Sequence, residues 1–109
     1  MAEFPTRLGE VTGFQWDAGN DTKTWSKHAV TRAECEQTFL NAPLIVADDA
    51  RHSVLEERHF ALGRTDRDRR LFIVFTLRGT LIRIISARPK SRREREEYLN
   101  AEAQQESEQ

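Results

Sequence analysis

Residues 58–88 contain three consecutive strand patterns separated by short turns, and no other part of the chain constrains the fold as strongly. The first, RHFALGRT (58–65), and the third, TLIRIISAR (80–88), alternate in the way that strands with one buried face do. The middle segment, RLFIVFTLR (70–78), is apolar on both faces in its first half, which is typical of a central strand. Because such short turns join neighbouring antiparallel strands, the segment predicts a three-stranded meander.

Two capping boxes predict where helices begin. Thr31 and Glu34 form a T-x-x-E pattern ahead of one helical segment, and Ser91 and Glu94 repeat the pattern at the start of a C-terminal helix over about 92–104. In both cases the first side chain accepts from a free amide of the first turn, while the glutamate reaches back to the cap. Both boundaries can therefore be predicted with a physical reason.

The remaining segments complete the predicted fold. Short strands are expected at FQW (14–16) and LIVADD (44–49), and Asp17 is expected to cap another helix that continues through residue 28. The predicted fold class is α+β: a mostly antiparallel sheet packed by two N-terminal helices and a C-terminal helix.

The length and composition indicate one small domain. With 109 residues the chain has room for one core, and we predict a loose N-terminal arm at 1–12, a domain at 13–100 and a disordered acidic tail at 101–109. No membrane segment or secretory signal is visible. Cys35 is the single cysteine, so no internal disulfide can form, and the cytoplasm is the expected compartment.

The charges are strongly segregated along the chain, although the formal net charge is only −1. Residues 58–95 hold 12 Lys/Arg against 3 Asp/Glu, whereas residues 1–57 hold 5 against 10 and residues 96–109 hold 0 against 5. The basic block favours a polyanionic partner, and the acidic tail either shields this block or keeps the protein soluble.

Cations are concentrated where the last strand meets the last helix. Arg92 and Arg93 fall in the first helical turn, where positive charge is unfavourable unless an anion lies nearby. Arg88, Lys90 and Arg95 surround them. The junction therefore predicts a phosphate or nucleic-acid site, and the alternative interpretation is a solvated basic face.

Strand alternation separates two arginines of this region. On a regular strand Arg83 and Arg88 point to opposite faces, so one of them would be structural unless a bulge near Ser86 or Ala87 intervenes. On the strand at 58–65, one face carries mostly small residues, which would leave room for a ligand to approach closely. These residues are His59, Ala61, Gly63 and Thr65.

Several motifs together resemble one protein family. They are FQWD (14–17), KHAV (27–30), EERHFALGR (56–64), IVFTLRG, RIISAR (83–88) and REREEY (93–98). In this combination, which spans about residues 13–99, the chain resembles the BrnT family of bacterial type II toxins, ribonucleases with a RelE-like fold. Where the family usually has Gly, Lys and Asn, this chain has Ala29, Asn20 and Thr24.

The resemblance implies a bacterial cytoplasmic toxin that cuts RNA and arrests growth. Its implied partners are an RNA substrate and a cognate BrnA-like ribbon-helix-helix antitoxin, with which it would form a hetero-oligomer. The residues that the resemblance marks for activity are Lys27, His28, Arg64, Arg83 and Arg88, with Trp16 nearby. The expected RNA contacts are Trp16, Lys90, Arg92, Arg93, Arg95 and Tyr98.

Each of these residue types suits cleavage without a metal or cofactor. A histidine such as His28 can transfer protons near neutral pH, although a structural role at a helix end is an equal alternative. Arginines stay protonated and stabilise a phosphorane electrostatically, while Lys27 would bind phosphate or act as a base. Trp16 and Tyr98 could stack bases. The sequence shows no His/Cys spacing for zinc and no phosphate-binding loop.

Two other classes of function remain open at this point. One is a non-catalytic module, either a basic sheet that binds nucleic acid or a degenerate toxin that only docks an antitoxin. The other is an interaction protein whose acidic tail covers its own basic face. Cleavage of RNA separates the toxin from both, and the effect of the tail on RNA binding separates the two alternatives.

Overall fold

The computed structural model describes residues 10–20, 28–48 and 57–107. Within these ranges it has five strands and two helices of several residues each. The expectation for Lys27 lies outside the described residues. The strands are β1 (Gly13–Gln15), β2 (Ile45–Asp48), β3 (His59–Arg64), β4 (Arg70–Arg78) and β5 (Leu81–Pro89), and the helices are α1 (Arg32–Leu40) and α2 (Arg92–Ser107).

The five strands form one sheet in the order β1-β5-β4-β3-β2. Strands β2 to β5 pair antiparallel with their neighbours, and β1 adds to β5 in parallel. Gly79 turns β4 into β5 with a φ of 61°, a conformation that glycine adopts without strain. The meander and the α+β class predicted from the sequence are confirmed.

The described residues differ from the prediction of two N-terminal helices: before the meander, α1 is their one helix longer than a single residue, and the predicted start at Asp17 is wrong. Residues 18–20 form a turn instead of helix. The Gly19 amide donates to Asp17 Oδ1 at 2.8 Å, and the Asp17 amide donates to Asn20 Oδ1 at 2.8 Å. Short polar side chains thus satisfy the local backbone and compete with a helix. Residues 21–27 lie outside the described part of the chain.

Strand β5 contains a bulge that changes which faces its side chains occupy. Val74 of β4 lies opposite Ser86, and the next residue, Phe75, lies opposite Ile84. Ile85 is therefore the extra residue of a β-bulge, next to the place where the sequence analysis required one. Residues on the two sides of the bulge that would alternate on a regular strand now share a face.

One face of the sheet, which we call the inner face, carries the core. Helix α1 packs on this face through the buried Cys35. The sheet residues buried there are Val46, Ala61, Leu71, Ile73, Phe75, Ile82, Ile84 and Ala87. This pattern follows directly from the bulge, since Ile82 and Ile84 precede it and Ala87 follows it.

The small residues of β3 make room for α1. A Cβ at Gly63 would lie 2.6 Å from Thr38 Cγ2 and 3.1 Å from the Thr38 carbonyl oxygen. The expectation that these small residues leave room for a ligand is therefore wrong at Gly63, because the helix fills the space.

Helix α2 lies on the opposite, outer face of the sheet. Its Tyr98 is fully buried and donates to the Pro43 carbonyl oxygen at 2.6 Å. The Ser91–Glu94 capping box forms as predicted, and the helix continues to Ser107, so it includes part of the segment 101–109 that we expected to be disordered. Neither helix of the described chain is long and apolar enough to cross a membrane.

Ala29, which lies two positions before the N-cap residue of α1, has an unusual backbone conformation. Ala29 has a φ of 52°, in the left-handed region where a Cβ crowds the backbone. Two residues later, Thr31 caps α1, with both hydrogen bonds of the predicted capping box. The family resemblance gives glycine as the usual residue at position 29, and the positive φ supplies the reason.

We expect Ala29→Gly to raise the free energy of unfolding by up to about 1 kcal/mol, because relief of the left-handed strain outweighs the greater freedom of glycine in the unfolded chain. Chemical denaturation measures the change. Ala103→Gly, at an exposed position of α2, is the control and should lower stability by roughly 1 kcal/mol. Equal losses in both variants would contradict the expectation.

Candidate functional site

The outer face of the sheet brings together the three arginines that the sequence analysis proposed for activity. Arg64 lies on β3, and Arg83 and Arg88 both lie on β5, on the same face because of the bulge. Arg83 and Arg88 are roughly 15 Å apart along the strand. The bulge therefore resolves the conflict in strand alternation, but it does not make one compact cluster of all three arginines.

Arg83 is held by the turn that follows β1. Its guanidinium donates to both carboxylate oxygens of Asp17, at 2.7 and 3.1 Å, and to Gln15 Oε1 at 3.3 Å. The hydrogen bonds that Asp17 accepts from Arg83, together with one from the Gly19 amide, lower the pKa of Asp17 below its usual value. The side chain of Arg83 is only 16% exposed. This arrangement fits an arginine that positions the turn.

Arg88 has an acidic partner in the first turn of α2. It donates to the two carboxylate oxygens of Glu94, both at 2.8 Å, and its guanidinium stacks 4.3 Å from the centre of the Phe72 ring. The Ser91 amide also donates to Glu94, at 2.7 Å. Burial alone would raise the pKa of Glu94, but these hydrogen bonds outweigh it and lower the pKa.

The sequence predicted a phosphate or nucleic-acid site at this junction, and a carboxylate of the chain itself lies there. The Glu94 carboxylate meets both the fork of Arg88 and the amide of Ser91 at the start of α2. Among the expected RNA contacts on this helix, Arg92, Arg93 and Arg95 are exposed, whereas Tyr98 is buried and does not offer its ring for base stacking in this arrangement.

Arg64 lies among further cations at the same end of the sheet. It donates to the Ala42 carbonyl oxygen at 3.0 Å and lies 3.7 Å from Asp68. Directly opposite it on β4 is Arg70, and the Lys90 amide donates to the Arg70 carbonyl oxygen. Arg70 did not stand out in the sequence analysis, because only the pairing of β3 with β4 places it beside Arg64.

Lys90 is packed against the ring of Tyr98. Its ammonium lies 4.2 Å from the ring centre and is buried without a hydrogen-bond partner. Burial, with the repulsion of Arg70, lowers the pKa of Lys90 to about 8. Burial also raises the pKa of Tyr98 to about 12.

His28 is exposed and its backbone is fixed by an arginine that sequence reasoning missed. Arg69 donates to the carbonyl oxygens of His28 at 3.0 Å and Ala29 at 2.8 Å, and it pairs with Glu34 of α1 at 3.1 Å. Arg69 therefore ties the segment around His28 to the turn between β3 and β4. No short motif could have revealed it, because the contact spans 41 residues.

Trp16 lies on the inner side of the sheet, where it packs against the core. Its indole N–H donates to Glu36 of α1 at 2.8 Å, and Arg32 lies 5.2 Å from the ring centre. The structure therefore separates Trp16 from Arg64 and Arg88, which occupy the outer face.

Most of the chain that forms this site matches a known protein family. A family model described as the ribonuclease toxin BrnT of type II toxin-antitoxin systems matches residues 16–94. The chain belongs to the BrnT family. The matched region extends from the end of β1 to the first turn of α2, and it includes Arg64, Arg83 and Arg88. A search of curated proteins found no match.

Asn20, at a position where the resemblance implies lysine, has a structural role. The side chain is buried and donates to the carbonyl oxygens of Gln15 and Ile84, both at 3.0 Å. Asn20 thus ties the turn after β1 to β5. Position 24, the departure at Thr24, lies outside the described residues.

Other titratable groups of this BrnT chain belong to the core. His59 is buried with its Nδ1 2.8 Å from Asp48 Oδ1. Cys35 is buried, which raises the pKa of its thiol to about 12. Within the described ranges, no group of three or more His, Cys, Asp or Glu side chains could hold a metal ion.

Replacing Lys90 with methionine tests the buried ammonium. Since the folded-state pKa of about 8 lies below the ordinary 10.5, the unfolded chain binds more protons between these values, and stability should rise with pH there. Lys90→Met should remove this rise and should be more stable near pH 7 by about 1 kcal/mol, because no unpaired charge is buried. Arg93→Gln removes a charge from an exposed position and should keep the rise.

The quantity to measure is the difference in unfolding free energy between wild type and Lys90→Met as a function of pH. Cys35, whose pKa is raised, acts in the opposite direction at alkaline pH, but it does so equally in both proteins because it is not in contact with Lys90. A difference that stays constant from pH 7 to 10 would contradict the burial of a charged Lys90.

Proposed function

We propose that this chain is the toxin of a bacterial type II toxin-antitoxin system. It cleaves RNA in the cytoplasm without a metal ion, arrests growth, and is neutralised by a cognate antitoxin. Membership of the BrnT family supports the proposal, and the observation that carries it beyond the family is the outer face of the sheet, where Arg64 and Arg88 lie at one end among further cations.

Cleavage of an RNA backbone needs charge stabilisation and proton transfer. The ribose hydroxyl attacks the adjacent phosphorus, the bond to the next nucleotide's oxygen breaks, and a cyclic phosphate forms. Arg64 and Arg88 stabilise the negative charge that develops on the phosphorane, because arginines remain protonated and bind phosphate through two donors. His28 serves as acid or base, and Lys27 binds phosphate or acts as a base.

The three arginines have different proposed roles. Arg88 is 37% exposed and Arg64 is 41% exposed, so both can reach a substrate once their internal acidic partners are displaced. Arg83 is 16% exposed and bound by Asp17, which supports a positioning role for the turn that follows β1. Loss of Arg83 would then act on folding more than on the chemical step.

We expect cleavage of a short labelled RNA in excess EDTA, with cyclic phosphate or 3′-phosphate ends. Arg88→Ala should lower the turnover rate by roughly 100-fold and affinity for RNA much less, because its charge acts mainly on the transition state.

Arg83→Ala should lower the free energy of unfolding by about as much as Asp17→Ala, and the double variant should be little less stable than either single variant. His28→Ala should flatten one limb of the pH–rate profile.

Denaturing gels with wild type and variants at equal folded concentration give these rates. Activity that disappears in EDTA and returns with magnesium would refute the mechanism. Binding of RNA without cleavage under any condition would favour the non-catalytic module, which is the second candidate because the described arginines of the site all have internal partners.

We also expect an antitoxin that covers the outer face and α2. A protein with a basic block of 12 Lys/Arg against 3 Asp/Glu would attract RNA nonspecifically unless a partner masks it. Co-expression with the product of the adjacent gene should give a stable complex, suppress the growth arrest and block RNA cleavage. Separate elution of the two proteins at micromolar concentration would contradict this expectation.

A further inference from the structure

Four cations lie close together on the outer face, at the end of the sheet near α2. Arg64 is opposite Arg70 in the register, the Lys90 amide bonds to the Arg70 carbonyl oxygen, and Arg88 lies two residues before Lys90. We call these four residues the cation cluster. Like charges opposite each other destabilise a sheet, so the cluster requires anions beside it.

Helix α2 supplies those anions from a single stripe. Glu94, Tyr98 and Glu102 follow each other at intervals of four residues, so they share one face of the helix. Glu94 pairs with Arg88 at 2.8 Å, and Glu102 Oε1 lies 2.9 Å from Arg70 Nη2. Between the two glutamates, the ring of Tyr98 contacts both Arg70 and Lys90.

This stripe holds α2 mainly through charge. Among the α2 side chains described, Tyr98 alone is buried, and Leu99 is 47% exposed. Three buried side-chain atoms in the described chain lack a hydrogen-bond partner, and all three lie in this layer: Arg70 Nε, Lys90 Nζ and Glu102 Oε1, of which the last has only its ion pair with Arg70. A buried polar atom without a partner destabilises the contact that buries it, so the docking of α2 is opposed as well as favoured.

We propose that the cation cluster is a binding site for the phosphodiester backbone of RNA, and that α2 is its displaceable cover. The carboxylates of Glu94 and Glu102 occupy the positions that two phosphates take when RNA binds. A phosphate brings the same charge and acceptor geometry to Arg88 and Arg70, and it adds hydrogen bonds that the present layer lacks. The inference rests on the proposed function for the identity of the polyanion.

Neutralising the stripe tests the competition directly. The probe is a single-stranded RNA with 2′-O-methyl groups, which lacks the attacking hydroxyl and is bound without being cleaved. Glu94→Gln with Glu102→Gln should bind it about tenfold more tightly than wild type, because two internal competitors lose their charge. Glutamine at position 94 can still serve the capping box, so α2 should keep its start.

The matched control is Glu96→Gln with Glu97→Gln. These residues lie on the exposed side of the same helix, and the double variant changes the net charge equally. It should tighten binding less than threefold, through long-range attraction alone. Equal tightening by the two double variants would overturn the proposal, since the effect would then reflect net charge and not a cover.

Displacement of α2 has its own reporter. Tyr98 is the only tyrosine in the chain, so 3-fluorotyrosine labelling gives one fluorine signal from the centre of the stripe. Saturating the wild-type protein with the 2′-O-methyl RNA should shift this signal toward that of a solvent-exposed tyrosine. A signal that does not move while RNA binds would overturn the proposal.

The two proposals can fail separately. In one outcome, unmodified RNA is never cleaved, but the modified RNA binds more tightly to the stripe variant and shifts the Tyr98 signal. This result would support α2 as a cover and refute the ribonuclease function. If unmodified RNA is cleaved while the stripe variant binds no more tightly than its control, the function stands and the cover fails.

Discussion

The β-bulge at Ile85 is the constraint on which the rest of this structure depends. It lets Ile82 and Ile84 before it and Ala87 after it enter one core, although an unbroken alternation would send the last of these to the opposite face. The same extra residue turns Arg88 onto the outer face. A hydrophobic requirement on one face therefore fixes the position of Arg88 on the other.

Charge acts at a second level of organisation. The segregation seen along the chain becomes pairing in space, because the acidic segments on both sides of the basic block fold back onto it. Asp17 binds Arg83, Glu34 binds Arg69, and Glu102 lies against Arg70. The pairs at Arg69 and Arg83 fix backbone segments, whereas those under α2 bury polar atoms that have no partner. In our proposal, this difference separates ion pairs that organise the fold from ion pairs that RNA phosphates replace.

Local patterns predicted most of the elements correctly. The meander, its turns and both capping boxes depend on residues close in sequence, and their periodicity and hydrogen-bonding chemistry are sufficient to find them. The expected helix after Asp17 failed at residues 18–20, because an aspartate and an asparagine satisfied the backbone of a turn. The expectation of room for a ligand beside Gly63 was also wrong, because α1 fills this space and only packing shows it.

By itself the sequence determined the α+β class, the boundaries of the meander and the concentration of cations at the β5–α2 junction. It also determined the family to which the chain belongs. Only the tertiary structure decided which of those cations share a face and which anions they meet. Strand register placed Arg70 opposite Arg64, and helix docking brought Glu94 and Glu102 to the sheet. The physical reason is that alternation and capping act over a few residues, whereas charge pairing depends on the distances that packing sets between distant segments.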